Sequence, residues 1–483
     1  MAEVIRPDIC VIGAGTAAMQ AAMQAAGLGG RAVLVDVHGG AEGGELGSDA
    51  LRAGRLPLAA LLAAARRAHA VEQVAAYGVQ ATRPEIDFGR VRDYVHGVIA
   101  ARAPNFARER LAGLGVRTVE GPARFKDRRT FVAGDVEIAA RRFVIATGSS
   151  TALPPIPGLD GAPHLTVETA FDLAAAPRHL VIIGAGAVAL EFAQAFRRLG
   201  ADVTVVDANA PLSREDPECS AVVLDALARE GVRICTAEIV RVEEPPSRSQ
   251  LDVQLRYADQ TGEETLVATH LLVAGRRWPN VVGLGLDAAG IKYDEHGITV
   301  DKGLKTTNRR VYAIGDVTGA EHPPHAADHQ AGLVVRNALL RVPVRFDPQA
   351  TAQVAFTDPE LARVGLTEAV ARSRGHRIRV LRWPYRENDR AHAEGEARGH
   401  IKVVTDTRGR ILGVTIVGAA AGELIATWTL AMSRAADIGS LAGIMVPYPT
   451  LAEIGKQAAA TYFMSGLTRP WVRRIIGLLR RLG

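Results

Sequence analysis

The chain has 483 residues, 48% of them hydrophobic and 23% charged, a composition typical of a globular protein of about three domains. It contains neither an apolar run of ~18 residues nor a basic leader with a cleavage site, so we expect no membrane span and no secretion. The net charge of +5 comes from one place: five of the 57 basic residues are arginines within 469–483, and the other 52 equal the 52 acidic residues, which argues against a nucleic-acid groove.

Two segments share the order strand, glycine turn, helix, strand and acidic residue. The first runs from the strand at 8–12 through G-A-G-T-A-A to Asp36, and the second from the strand at 179–183 through G-A-G-A-V-A to Asp207. Each is predicted to be a βαβ unit that binds a dinucleotide, and two such units are stronger evidence than one.

The residues of the two turns have matching roles. The first glycine permits the sharp bend, the second lets the backbone approach a pyrophosphate, and the alanine allows close packing of helix on strand. In chain order these are Gly13, Gly15, Ala18, Gly184, Gly186 and Ala189. Asp36 and Asp207 would accept hydrogen bonds from ribose hydroxyls. Asp207 is followed by Ala208 and Asn209, with no arginine to neutralise a 2′-phosphate, which favours NADH over NADPH. The alternative for Asp207 is a solvated strand end.

Three later strands end in small residues and complete the cofactor frame. Their ends contain Thr147, Gly148, Gly275, Arg276, Gly315 and Asp316. Asp316 could bond the sugar chain of a flavin. Beyond Pro323 and Pro324 a helix is expected from His325 onward, and its positive end could stabilise a reduced flavin ring.

The three cysteines, Cys10, Cys219 and Cys235, are not spaced as a redox or zinc pair. Cys10 is expected to be a buried thiol in the first strand. We expect a cytoplasmic protein without disulfides.

Together these motifs resemble the flavoprotein disulfide reductases, among them dihydrolipoamide dehydrogenase, glutathione reductase and mercuric reductase. The resemblance extends to about Phe463 and includes Phe356-Thr-Asp-Pro-Glu360. It implies an α/β fold with two Rossmann-like domains for FAD and NAD(H), and a C-terminal α+β domain that forms a homodimer. Ala123 joins the residues expected to bind the cofactors. The implied segments are 1–155 and 278–345 for FAD, 156–277 for NAD(H), 346–465 for dimerisation, and a basic helix at 466–483.

The chain departs from this family at its redox helix. Residues 46–62, LGSDALRAGRLPLAALL, match the family's L-G-G-T-C-L-N-V-G-C-I-P-S-K-A-L-L without a gap, but Ala50 and Arg55 replace the two cysteines. Glu191 matches the family glutamate near the nicotinamide, while its lysine partner is Ala59 here. Because an unpaired buried glutamate is costly, we expect Arg55 to replace part of the lysine's role. The alternative is a structural arginine in a vestigial site.

The family's histidine and glutamate proton relay corresponds to Tyr448 and Glu453. Mercuric reductase resembles this tyrosine pattern, but a site without cysteines has no soft ligand for mercury. Tyr448 could donate a proton, or could pack at the dimer interface.

Residues 469–483 read RPWVRRIIGLLRRLG and predict an amphipathic helix, with Thr468 and Pro470 at its start. Its apolar arc is Trp471, Val472, Ile475, Ile476, Leu478, Leu479 and Leu482, and its basic side is Arg473, Arg474, Arg480 and Arg481. Such a helix is typical of proteins that lie on a membrane surface. The alternative is packing against its own dimer or a partner protein.

These features favour an NADH-dependent flavoenzyme that reduces a non-disulfide acceptor, with a quinone preferred, at the inner face of the membrane. Arg55, Glu191, Tyr448 and Glu453 are the expected catalytic residues. Two alternatives stay open: a flavin- or NADH-sensing interaction protein without turnover, and a reductase of a small oxyanionic or organic substrate held by Arg55.

Overall fold

The computed structural model describes residues 3–37, 51, 54–245, 250–257, 262–319, 323–467 and 470–480, with side chains described for all but 465–467 and 470–473. Its strands are β1 (Glu3–Ile5), β2 (Ile9–Ile12), β3 (Ala32–Asp36), β4 (Val116–Glu120), β5 (Ala123–Phe125), β6 (Phe131–Ala133), β7 (Val136–Ile138), β8 (Arg142–Ile145), β9 (Ser149–Thr151), β10 (Leu165–Thr166), β11 (His179–Ile183), β12 (Asp202–Asp207), β13 (Arg233–Glu243), β14 (Leu251–Tyr257), β15 (Glu263–Ala268), β16 (His270–Val273), β17 (Arg277–Pro279), β18 (Tyr293–Asp294), β19 (Gly297–Ile298), β20 (Val311–Ala313), β21 (Gln353–Ala355), β22 (Glu360–Gly365), β23 (Ile378–Pro384), β24 (His400–Asp406) and β25 (Ile411–Gly418).

The α-helices of the described residues are α1 (Thr16–Gly27), α2 (Arg55–Gln73), α3 (Phe88–Arg102), α4 (Arg108–Gly113), α5 (Ala187–Arg198), α6 (Pro217–Arg229), α7 (Pro324–Leu340), α8 (Glu368–Ser373), α9 (Asp389–Ala393), α10 (Ala421–Ser433), α11 (Ile438–Ala442), α12 (Glu453–Leu467) and α13 (Pro470–Leu479). The architecture is the predicted one: an α/β protein with two Rossmann-like sheets and a C-terminal α+β domain.

The first sheet has the strand order β20-β8-β2-β3-β4, and all its strands are parallel. Its central strand, β2, reads ICVI and is buried throughout, as expected for a parallel sheet covered on both faces. Helices α1 and α7 pack on one face, and the small sheet β1-β7-β6-β5 packs on the other. This sheet contains the first predicted βαβ unit.

The second sheet has the order β10-β16-β11-β12-β13-β14-β15. Its first five strands are parallel, and β13 to β15 are antiparallel. Helix α2 packs its leucines and alanines against α5 in one shared core, which includes Leu58, Leu62 and Leu190. This packing places the start of α2 above the first turns of α5.

The third sheet, β21-β22-β25-β24-β23, is antiparallel and packs against α10 and α12. A buried ion pair joins it to helix α6 of the second domain: the Nζ of Lys402 on β24 lies 2.8 Å from an oxygen of Asp216, the N-cap of that helix. Their side chains are 6% and 2% exposed. The pair therefore fixes the third domain to the second.

The predicted domain boundaries near 155 and 277 lie beside β9 and β17, which pair with each other in an antiparallel ribbon. The chain passes through this ribbon on leaving the first domain and again on returning to it. The individual boundaries stay predictions.

Candidate active site

The two glycine turns lie where backbone segments cross closely. Gly13 has φ +116°, and a Cβ there would be 2.3 Å from the carbonyl oxygen of Ala146. Gly184 has φ +107°, and its Cβ would be 2.8 Å from the carbonyl oxygen of Ala274. A side chain is excluded at both positions by conformation and by space.

The second glycine of each turn precedes a helix. Gly15 and Gly186 are the extended N-cap residues of α1 and α5. A Cβ on Gly186 would meet nothing within 4 Å, so open space lies beside the free N–H groups of α5. Ala18 and Ala189 are fully buried against their strands. This geometry suits the phosphates of a dinucleotide.

The two acids end the strands next to these turns. Asp36 is the last residue of β3 and is buried. Asp207 ends β12 and accepts hydrogen bonds from the backbone N–H of Ala185 at 2.9 Å and of Asn209 at 2.8 Å. The side-chain amide of Asn209 donates to the same carboxylate at 3.2 Å. Asp207 is thus held against the glycine turn and is not a freely solvated strand end.

A second group of predicted residues lies at the same edge of the first sheet. Thr147 and Gly148 follow β8, and Gly315 and Asp316 follow β20, the neighbouring strand. Gly315 donates its N–H to the side chain of buried Gln330 at 2.8 Å, and Asp316 accepts a hydrogen bond from Ser149 at 2.8 Å. Parallel strands therefore bring this group to the edge where Gly13 lies.

The remaining predicted cofactor residues are more scattered. Ala123 begins β5 in the small sheet. Helix α7 begins at Pro324 instead of His325, because proline suits the first helical position. The Nε2 of His325 lies 3.0 Å from the carbonyl oxygen of Ala352. Gly275 follows β16, and the Arg276 guanidinium stacks over the Trp278 ring at 4.8 Å. Their binding of a cofactor stays a prediction.

Arg55 and Glu191 form the predicted pair. Arg55 is the first residue of α2, and one guanidinium nitrogen, Nη1, lies 2.9 Å from both carboxylate oxygens of Glu191 in α5. The backbone N–H of Phe356 also donates to Glu191 at 2.9 Å. The expected contact between Arg55 and this glutamate is present, and the role of Arg55 in place of the family lysine stays a prediction. Ala50, at the other cysteine position, lies outside the described residues.

Burial dominates the chemistry of Glu191. It raises the pKa of this carboxyl above its ordinary value, although the charge of Arg55 and the hydrogen bond from Phe356 act in the opposite direction. Such perturbed groups are typical of functional sites.

Sequence reasoning missed a second arginine on the same helix. Arg66 donates from one nitrogen to the carbonyl oxygen of Phe356 at 3.0 Å and to Glu360 at 3.3 Å. Arg55 and Arg66 are eleven positions apart in α2, which is three helical turns, so both side chains lie on one face. This spacing could have indicated from the sequence that Arg66 lies on the same helix face as Arg55. Arg66 therefore binds the segment between β21 and β22 directly, and Arg55 is linked to the same segment through Glu191.

Tyr448 lies away from this pair within the chain. It is 71% exposed, and its hydroxyl donates to Asp389 at 2.8 Å. That hydrogen bond, with the charges of Asp389 and Glu453, raises the pKa of Tyr448 above its ordinary value. Glu453 is the first residue of α12. The described contacts of Tyr448 do not include Arg55 or Glu191.

The three cysteines are all buried and unpaired, in β2, α6 and β13. Burial raises the pKa of the Cys10 thiol far above its ordinary value, as expected for a packing residue. Cys219 lies 3.5 Å from a ring nitrogen of His400, beside the Lys402 ion pair.

Helix α13 begins at Pro470, as predicted. Ile475, Ile476, Leu478 and Leu479 are each between 44% and 60% exposed, and the neighbouring Arg474 and Arg480 are exposed as well. Thr468, Arg469, Arg481 and Leu482 lie outside the described residues, as do the side chains of Trp471, Val472 and Arg473. Among the described helices, none has the length and apolar character needed to cross a bilayer.

Comparison with known proteins gives consistent matches over most of the chain. A model of the pyridine nucleotide-disulphide oxidoreductase family matches residues 7–332, and one of its dimerisation domain matches residues 351–459. The chain is 37% identical over 466 residues to the dihydrolipoyl dehydrogenase of Thermus scotoductus, with 94% of this chain and 96% of the relative covered. It is 34% identical over 469 residues to a mercuric reductase of Streptomyces lividans, with the same coverage of 94% and 96%.

Two solved structures have the same fold. LpdA of Mycobacterium tuberculosis superposes with a TM-score of 0.84 at 26% identity, covering 94% of this chain and 99% of that one. The HOCl-induced flavoprotein disulfide reductase RclA of Escherichia coli gives 0.80 at 26% identity, also with 94% and 99% covered. The matches include both Rossmann-like sheets and the third, antiparallel sheet.

Proposed function

The chain belongs to the pyridine nucleotide-disulphide oxidoreductase family, and from this premise we propose that it is an FAD-dependent NADH oxidoreductase whose acceptor is a membrane quinone and not a cysteine pair. The family uses FAD and NAD(P)H. When bound, FAD supplies the redox chemistry, taking hydride from NADH and returning the electrons to an acceptor. The residues of this chain decide which acceptor is used.

The observation that carries the proposal is the pairing of Arg55 with Glu191. By resemblance, Arg55 stands where the family has the thiol that touches the flavin. A guanidinium is permanently charged, donates five hydrogen bonds and has no redox chemistry. The two 2.9 Å contacts to Glu191 use one of its nitrogens. The chain's thiols are buried in β2, α6 and β13, which supports an exit route that involves no sulfur.

The residues at the edge of the first sheet fit FAD. The Gly13 turn and the N-terminus of α1 would hold the pyrophosphate, and Asp36 a ribose. Asp316 would hold the sugar chain. The N-terminus of α7 would direct its positive end at the flavin ring and favour negative charge there. A Cβ on Gly148 would meet nothing within 4 Å, which leaves space at this edge for a ligand.

The second turn fits NADH better than NADPH. Asp207 and Asn209 lie together beside the turn, joined at 2.8 Å. A 2′-phosphate on the ribose would meet the negative charge of Asp207, with no arginine in the 207–209 segment to neutralise it. Gly186 leaves room beside α5 for the nicotinamide dinucleotide's phosphates.

In this proposal each candidate catalytic residue has a defined task. Arg55 stabilises negative charge that develops on the acceptor oxygens, and Glu191 fixes the guanidinium in place. Tyr448 would donate a proton to the acceptor, since a tyrosine hydroxyl is protonated at neutral pH. The matched dimerisation domain supports a homodimer, and Tyr448 and Glu453 would border the pocket of the second copy.

Helix α13 supports a quinone at a membrane surface. Its described apolar residues are exposed next to Arg474 and Arg480. An arginine near an anionic leaflet contributes about 1 kcal/mol, and burial of the apolar residues adds to this. The expected attachment is reversible and would place the enzyme where quinones are concentrated.

The test is anaerobic stopped-flow spectroscopy of the purified holoenzyme. The flavin is first bleached with NADH and then mixed with a short-chain quinone or, separately, with aerated buffer. We expect reoxidation by the quinone to be faster than by air. Reoxidation by the quinone that is no faster than by air would contradict the quinone as acceptor. A flavin that is bleached by NADH but turns over no acceptor would favour a sensing protein.

A small oxyanionic substrate is the second candidate, and the partial exposure of Arg55 favours it. Because 37% of this side chain is exposed, a carboxylate or similar anion could reach the guanidinium from outside. Turnover assays without lipid and quinone distinguish the two candidates. An oxyanionic substrate would still be reduced under these conditions, and a mechanism that requires a quinone would show no turnover.

A further inference from the structure

The antiparallel ribbon of β9 and β17 carries a connected set of hydrogen bonds between the two dinucleotide domains. Arg277 pairs with Thr151, and Pro279 with Ser149, in the register of the ribbon. Neighbouring residues on a strand point to opposite sides. Arg276 and Trp278 therefore stack on one side, and Arg277 points to the other.

Arg277 uses all three of its nitrogens on that side. Its Nε donates to the hydroxyl of Ser149 at 2.9 Å, and its Nη2 to the carbonyl oxygen of Ser149 at 2.6 Å. Its Nη1 donates to Glu168 at 2.9 Å. Such a three-point arrangement requires the planar fork of arginine, because a lysine ammonium cannot reach partners in this geometry at once.

The hydrogen bonds of this network end on a carboxylate acceptor on each side. The Ser149 hydroxyl accepts from Arg277, so its single proton is left to donate to Asp316 at 2.8 Å. At the other end, Glu168 also accepts from Thr151 at 2.7 Å. The set thus runs from the carboxylate that follows β20 in the first domain to a carboxylate in the loop after β10 in the second.

The ion pair in the middle is shielded. Arg277 and Glu168 are each 29% exposed. Burial acts to raise the pKa of Glu168, but hydrogen bonds from Thr151 and Thr166 and the charge of Arg277 lower it below its ordinary value. Glu168 is therefore ionised at neutral pH, and the link is a charge-assisted one.

We propose that Arg277 is a positioning residue that holds the flavin-sugar anchor Asp316 and the NAD(H)-binding domain in the relative orientation required for hydride transfer. The proposal rests on the proposed function only in that both dinucleotides bind, and it is independent of the acceptor. The chain crosses between the domains at this ribbon, so a small rotation here moves one dinucleotide relative to the other. A misplacement of about 1 Å costs on the order of 100-fold in rate.

The experiment measures the reductive half-reaction of the holoenzyme alone. Arg277→Gln and Ser149→Ala are mixed anaerobically with NADH, and the limiting rate of flavin bleaching and the Kd for NADH are obtained from the concentration dependence. We expect the limiting rate to fall at least about tenfold in both variants with the Kd changed by less than about threefold. Arg277→Lys should fall between Gln and wild type.

Two further measurements identify a purely structural role. The FAD affinity of the apoprotein and its thermal unfolding are measured for each variant, with Arg256→Gln as the control, because Arg256 forms an exposed ion pair with Glu263 on the same domain's sheet. Limiting rates equal to wild type in folded, FAD-loaded Arg277→Gln would overturn the proposal, whatever happens to unfolding. If that variant does not fold, Ser149→Ala decides in the same way.

The two proposals fail in different half-reactions and can be distinguished. Failure of the proposed acceptor would appear in reoxidation with normal bleaching by NADH. Failure of the positioning role would appear as normal bleaching in the variants.

Discussion

Arg55 and Glu191 contact each other across a domain boundary, yet 37% of the Arg55 side chain is exposed and 1% of the Glu191 side chain. Water can therefore solvate the arginine if its partner is removed, but it cannot solvate the glutamate. The two halves of this ion pair are not energetically equivalent.

We therefore predict unequal costs for removing either partner. Arg55→Ala removes the cation that is hydrogen-bonded to a buried carboxylate and should lower the free energy of unfolding by about 3 kcal/mol. Glu191→Gln keeps an acceptor for the Phe356 N–H and leaves a solvated arginine, so it should cost about 1 kcal/mol. Urea unfolding of the FAD-loaded proteins measures both. Equal losses, or a larger loss for Glu191→Gln, would show that the pair is not buried as described.

The pH dependence of Arg55→Ala has a definite sign. Because the pKa of Glu191 is raised in the folded protein, the cost of its ionisation is present above that pKa and disappears as the pH falls toward the ordinary value of 4.5. Removing Arg55 raises the pKa further. The stability deficit of the variant should thus shrink as the pH falls from neutral toward 4.5. A constant deficit over this range would assign the loss to packing instead of charge.

The glycine turns and the third sheet could be predicted because their signals are local. Gly13 and Gly184 each directly follow an apolar strand, and β24 opens on alternating polar and apolar residues, His400-Ile-Lys-Val. The Arg55–Glu191 contact was predictable through the family resemblance, which supplies a long-range pairing that periodicity does not.

Contacts between distant segments without such a guide were missed. Arg66 binds the carbonyl oxygen of Phe356, 290 positions away, and Arg277 binds Ser149, 128 positions away. Nothing in the local sequence distinguishes Arg277 from its neighbour Arg276 until the direction of the strand is known.

The second turn offers a matched pair of substitutions. Gly184→Ala forces a side chain into a positive φ and within 2.8 Å of the Ala274 carbonyl, and should destabilise the protein by about 1–3 kcal/mol. Gly186→Ala meets nothing within 4 Å and should leave unfolding unchanged, but its methyl group would occupy the space for the dinucleotide. NADH titration should show at least about tenfold weaker binding in Gly186→Ala. Normal NADH affinity in that variant would remove this turn from the binding site.

The ion pairs around Lys402 should make the stability of the folded protein depend on pH in the acid range. Hydrogen bonds from Arg382 and Lys402 lower the pKa of Glu218 from 4.5 to about 2. The stability that Glu218 contributes is therefore complete above about pH 4.5 and is lost as the pH falls toward 2. Lys402→Met should lower the free energy of unfolding at pH 7 by about 3 kcal/mol, because it leaves Asp216 buried without its cation. It should also weaken the loss of stability between pH 4.5 and 2, which denaturant titrations at several pH values would reveal. An unchanged acid profile would contradict this cluster's role.

Helix α13 predicts binding to anionic lipid. Arg474→Glu with Arg480→Glu should abolish co-sedimentation with vesicles of mixed phosphatidylcholine and phosphatidylserine, since each arginine contributes about 1 kcal/mol. Binding of the wild type should weaken with salt and be absent with pure phosphatidylcholine. The charge-matched control is Arg374→Glu with Arg408→Glu, two exposed residues elsewhere. Equal loss in the control, or no binding by the wild type, would exclude the membrane-surface helix.

Reoxidation of a cysteine-free variant shows whether electrons leave the reduced flavin without passing through a thiol. Cys10→Ala, Cys219→Ala and Cys235→Ala together remove every thiol in the chain. After anaerobic bleaching with NADH, this variant should return electrons to a short-chain quinone at the wild-type rate and faster than to air. Loss of quinone reoxidation in a variant that still binds FAD and is still bleached would show that a thiol carries the electrons.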